Sequence, residues 1–226
     1  MYITLITLFL ILGIFLYLNK KRKSFLKKTY AEKFVNDLEA LNYFKYTSQL
    51  DYLNVKKYFI ENFDPQGELC TQWDEKKGFS KDYRYYLCDG ENIFEQGGIT
   101  ELLKELMPAF SKMNFYCNVK NNFEVWDEKN EWLNHRITIN EVEYIIFYNF
   151  KGYGWGEAPY KIAQILNNEL EKQNIDERCY LINGGNDGRL ALLTHDQYQL
   201  IYKTYTDKKW KPLQINEWAK EFDVTI

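Results

Sequence analysis

Residues 178–194 read RCYLINGGNDGRLALLT, two apolar runs on either side of a Gly-Gly-Asn-Asp-Gly step. Glycine and asparagine accept the positive φ that a short hairpin turn demands, so the stretch predicts strands over RCYLIN and RLALLT joined as an antiparallel hairpin. Thr194, with Gln197 three positions on, makes a capping box for a helix through DQYQLIYKTY. Trp218, Ala219 and Phe222 give a last short helix after Pro212.

Upstream of the hairpin, APYKIAQILNNELEKQ (158–173) sets Ile162, Ala163, Leu166 and Leu170 on one helical face, with Pro159 in the first turn. Before it comes GYGWGE (152–157), and before that strands are expected at roughly 114–119, 123–126, 132–139 and 142–150. Gly97-Gly98 leads into ITELLKELM, where Leu102, Leu103, Leu106, Met107 and Phe110 share a face and Pro108 predicts a break or kink. The Asp89-Gly90 step between DYRYYLC and ENIFEQ predicts a second hairpin, with strands at 83–88 and 91–95. LDYLNVKKYFIENF (50–63) and residues 24–46 carry helical periodicity, and the stretch from Asp64 to Ser80 reads as loop. Hairpins separated by helices, without regular βαβ alternation, define an α+β fold with a mainly antiparallel sheet and flanking helices.

At the amino end, YITLITLFLILGIFLYL (2–18) has no charge and spans roughly 26 Å as a helix, so it predicts one transmembrane helix within residues 1–19. A cleaved signal peptide would place its basic residues first. Here they follow, as Lys20, Lys21, Arg22, Lys23, Lys27 and Lys28. Positive charge beside a span stays on the cytoplasmic side, which predicts a single-pass inner-membrane protein with its C-terminal domain cytoplasmic. Residues 20–46 then form a basic collar and helix, and 47–226 a soluble α+β domain.

The 226 residues hold 29 basic and 32 acidic side chains; without the six cations of the collar the rest carries a net charge of −9. Such a body repels nucleic acid and anionic lipid and steers toward basic proteins. Cys70, Cys88, Cys117 and Cys179 form no CxxC pair and read as reduced core residues, with no disulfide framework.

Residues for catalysis or metal binding are scarce. GYGWGE has neither GxGxxG nor GK[ST] spacing, and Glu157 opposes a phosphate. GGNDG lacks the spaced ligands of a calcium loop. His135 sits in a strand and His195 follows an N-cap, with no nucleophile elbow nearby. No cofactor and no metal is therefore expected. Aromatic residues around the turns favour binding, and Trp155, Glu157, Asn186, Asp187 and Arg189 are the candidate contact residues. An enzymatic alternative draws on Glu157, His135 and Asp187, and a third reading makes the chain a structural subunit of an envelope complex.

YYLCDGENIFEQGGITELLKELMPAF and FKGYGWGEAPYKIAQILNNEL, followed by INGGNDGRLALLT, resemble uncharacterised bacterial immunity-type proteins associated with polymorphic toxins. The likeness covers residues 83–194 and brings no catalytic motif. It implies a non-enzymatic protein that binds and neutralises a toxin; the anchor is a departure from the many members that are cytoplasmic.

Overall fold

The structure, a computed structural model, describes Leu16 and residues 25–74 and 79–225. The expected span over 2–18 thus lies, but for Leu16, outside the described residues; among those described no helix is long and apolar enough to cross a membrane. The chain is α+β, with antiparallel pairing throughout the described sheets and helices flanking them.

A central sheet has strand order β3-β8-β7, formed by β3 (Tyr85–Leu87), β7 (Arg178–Ile182) and β8 (Arg189–Leu193). Side chains alternate across a strand, and here both sets are buried. Tyr86, Cys88, Cys179, Leu181, Leu190 and Leu192 enter one core. Tyr85, Tyr180, Ile182, Ala191 and Leu193 enter another, on the opposite face.

The second core is closed by three helices: α1 (25–40), α2 (Tyr52–Glu61) and α6 (His195–Thr204). Ala31, Phe34, Val35 and Leu38 bury one stripe of α1 there, so this helix belongs to the folded body. The first core is filled by α4 (Gly98–Met113) and α5 (Glu157–Lys172) and backed by a second sheet of order β4-β5-β6. Its strands are β4 (Val119–Asp127), β5 (Trp132–Ile139) and β6 (Val142–Phe150). Glu169 on α5 holds this sheet in place: it accepts from Asn140 Nδ2 at 2.7 Å and Lys172 Nζ at 2.6 Å, and from the Tyr144 hydroxyl.

The hairpin at 178–194 and the Thr194–Gln197 capping box form as the sequence predicts, with a short 3-10 turn at Gly185–Asp187. The hairpin expected at Asp89-Gly90 does not. Asp89 accepts hydrogen bonds from the N–H groups of Glu91 and Asn92 and caps α3 (Gly90–Phe94), while β3 pairs with β8. Gly90 is required for closeness: a Cβ there would lie 2.0 Å from the Trp155 carbonyl oxygen.

Of the strand expected at 114–119 only Val119 is in a strand: Asn114 ends α4 in a left-handed turn, and β4 starts at Val119 and runs through the strand expected at 123–126. The expected loop before Ser80 contains a two-residue pairing of β1 (Trp73–Asp74) with β2 (Phe79–Ser80). Pro108 does not end α4, because Leu102, Leu103, Leu106, Ala109, Phe110 and Met113 keep one face buried on both sides of it. The helix expected to reach residue 46 stops at 40. Asn42 turns left-handed (φ 57°) and a 3-10 turn follows at Tyr43–Tyr46. The final element, α7 (Ile215–Glu221), packs against β7 and α5.

Candidate functional site

The sequence-predicted contact residues flank α3. Gly90 abuts the Trp155 backbone, Gly188 abuts the Cys88 carbonyl, and α3 adjoins the 3-10 turn that contains Asn186 and Asp187. The two glycine-rich loops therefore lie at one end of the molecule, where Val224 packs on Gly156 and Phe222 on Gly184. These side chains occupy the space between the loops, so the glycines serve close packing. The Ala158 N–H donates back to Gly154, which removes one donor that an anion at the start of α5 would need.

Several of these residues are satisfied within the chain. Asp187 pairs with Lys209 at 3.1 Å and Arg189 with Glu68 at 2.8 Å. Trp155 is 40 % exposed, its ring 5.5 Å from that of Tyr153. Glu157 is half-buried in the first turn of α5.

The catalytic alternative finds no geometry. His135 is buried on the inner face of β5, where Nε2 meets Asn122 Oδ1 at 2.7 Å and Nδ1 lies 3.8 Å from Glu124. Among the described residues no hydrogen bond or ion pair joins any two of His135, Glu157 and Asp187, and no group of three or more potential ligands could hold a metal. Burial pushes the thiols of Cys70 and Cys117 up to about 11 and that of Cys88 up to about 12, far from a nucleophilic thiolate.

On the far side of α3 the chain forms a groove of about 320 Å³ that no local motif announced. Leu87, Ile93 and Leu102 supply its apolar surface, and Asp89, Glu95, Glu101 and Glu105 line it with no cation among the lining residues. Burial, and after it the neighbouring Glu101 charge, push the Glu105 carboxyl up. Residues 89–105 as a whole carry five carboxylates and one cation, Lys104, which pairs with Glu101.

One wall of the groove is the edge of a sheet. Leu192 N–H donates to the Arg84 carbonyl and Cys88 N–H to the Gly188 carbonyl, so alternation along an antiparallel strand turns the peptide groups of Tyr85 and Leu87 away from β8. Tyr85 N–H is taken by Ser80 Oγ at 3.1 Å, which leaves Leu87, 50 % exposed, as the edge residue beside the carboxylates. A smaller hollow of about 290 Å³, lined by Phe94, Gln96, Glu124, Trp126 and Leu133, adjoins the groove at Gln96. The composition signal for this site was the acidic excess of the body. Its position depended on α3 being a helix, which the Asp-Gly step concealed.

No protein-family profile, curated protein or solved structure matches this chain.

Proposed function

We propose that this is a non-enzymatic binding protein, tethered by residues 2–18 with its domain facing the cytoplasm, which captures a basic segment of a protein partner in the groove beside β3. One observation carries the reading: an open strand edge borders a trough lined by four carboxylates and no cation, of which only Glu101 has a described ion-pair partner, Lys104 outside the lining. An extended segment laid there gains main-chain hydrogen bonds at Leu87, apolar contact with Ile93 and Leu102, and charge pairing from its Lys or Arg side chains. Masking a functional segment of a basic toxin in this way is the activity that the resemblance over residues 83–194 suggests. The uncharged run at 2–18 and the cations that follow it support the tether and its orientation.

A photo-crosslinking amino acid at Leu87, in the full chain in its native cells, tests the reading. Adducts with a basic protein are expected, and they disappear in the Glu101→Lys/Glu105→Lys variant. Adducts that survive the reversal, or their absence from Leu87 when other surface positions crosslink, contradict it.

A further inference from the structure

In a layered domain each apolar face of a sheet is covered by another element. The inner face of β4-β5-β6 is covered by α4 and α5; the outer face is covered by no described element, yet it is apolar. Phe123 is 43 %, Val125 45 %, Ile145 62 % and Tyr148 76 % exposed. The register sets Phe123, Arg136 and Ile145 in one row across the three strands, with Val125 beside Asn134 in the next. Two apolar walls on the outer strands thus flank a polar floor on β5, enclosing about 350 Å³.

Charge decides what fits. The body is acidic, so two identical copies repel except where local charge cancels. Residues 119–151 hold six carboxylates and four cations, and one of the carboxylates, Glu124, faces inward toward His135. Lys120 pairs with Glu141, and Arg136 lies 3.7 Å from Glu143 with its guanidinium 4.5 Å over the Phe123 ring. The sheet face is therefore nearly neutral, in contrast to the groove beside α3.

We propose that this face is a two-fold interface with a second copy of the chain. A two-fold axis through the floor sets the Phe123 and Val125 wall of one protomer against the other's Ile145 and Tyr148 wall, and brings each Arg136 near a second Glu143. Three strands of this length, at about 3.3 Å per residue and about 4.8 Å apart, make a face of roughly 400 Å² in projection, against about 800 Å² per partner in a standard interface. The dimer is accordingly weak, with dissociation in the micromolar range, and fills when chains are concentrated on a shared surface.

Sedimentation equilibrium of the full chain in a mild non-ionic detergent, from about 1 to 200 µM, tests this. The expected result is a reversible monomer–dimer equilibrium whose dissociation constant rises about tenfold or more in Ile145→Asp and again in Tyr148→Glu. Both positions are exposed, so far-UV circular dichroism of the variants stays that of the parent. A monomer at every concentration, or a dimer that both substitutions leave unchanged, overturns the proposal. Ile145-dependent binding to phosphatidylglycerol vesicles without dimerisation overturns it in favour of a lipid occupant.

Discussion

Glu124 Oε2 accepts the Gly97 backbone N–H at 2.9 Å, so a carboxylate in the middle of β4 fixes the left-handed residue that starts α4. Gly97 has φ 83° and offers no side chain to cap the helix, and Glu124 supplies the negative partner that the helix start favours. This bond connects the second sheet to the wall of the acidic groove. Glu124→Ala is expected to cost about 2 kcal/mol of stability in urea unfolding, as a charged hydrogen bond is lost. It should also speed amide exchange at Ile99 to Glu101, the first turn of α4.

The same carboxylate faces His135, whose imidazole burial holds below its ordinary value of 6.5 although the Glu124 charge opposes the shift. The unfolded chain takes up a proton near pH 6.5 that the folded chain resists. Stability from this residue is therefore complete above that pH and declines as pH falls below it, down to the folded value. His135→Gln, which keeps a side chain able to donate to Asn122, is expected to flatten the pH dependence of the thermal midpoint below pH 6.5. An unchanged slope would show that His135 titrates freely.

Arg84 sits in a fully buried clamp. Its Nε donates to the Tyr43 carbonyl at 2.6 Å and Nη1 to the Leu192 carbonyl at 2.9 Å, with Glu177 3.5 Å away. Burial pushes the Glu177 carboxyl up, but hydrogen bonds from Lys45 and Tyr46 and the Arg84 charge outweigh this and hold it below the ordinary glutamate value. Arg84→Met is expected to lose about 3 kcal/mol, since it orphans these acceptors and removes a buried counter-charge. The advantage of the parent over Glu177→Gln should be full above pH 4.5 and vanish as pH falls through the lowered pKa of Glu177.

Gly90→Ala separates the two readings of the Asp-Gly step. A hairpin turn needing positive φ would be weakened only locally, whereas a helix start pressed on the Trp155 carbonyl must displace that loop. About 2–3 kcal/mol of destabilisation is expected, with a shift in Trp fluorescence from Trp155. Asp89→Ala, which removes the cap without crowding Trp155, should cost about 1 kcal/mol.

Much of the fold was legible wherever one local signal had no competitor. The 178–194 hairpin, the Thr194–Gln197 box and the apolar stripe of α5 each combine a turn or cap residue with matching periodicity. Asp89-Gly90 failed because aspartate before glycine suits either a hairpin turn or an N-cap, and the choice fell to a tertiary contact with Trp155. Pro108 failed for a related reason: seven buried side chains on α4 outweigh one missing N–H. Of the candidate site, acidity was readable and location was not, because Asp89, Glu95, Glu101 and Glu105 converge only when GENIF is helical and β3 is an edge.

The most direct measurement is fluorescence anisotropy of two labelled peptides, alternating Lys-Leu and alternating Glu-Leu, titrated with the full chain. The basic peptide is expected to bind more weakly as salt rises, Glu101→Lys/Glu105→Lys to weaken it about tenfold or more, and Glu171→Lys/Glu221→Lys, an equal change in net charge at exposed sites that do not line the groove, to leave it nearly unchanged. Equal losses in the two double variants, or equal binding of the two peptides, would contradict a groove that selects basic segments.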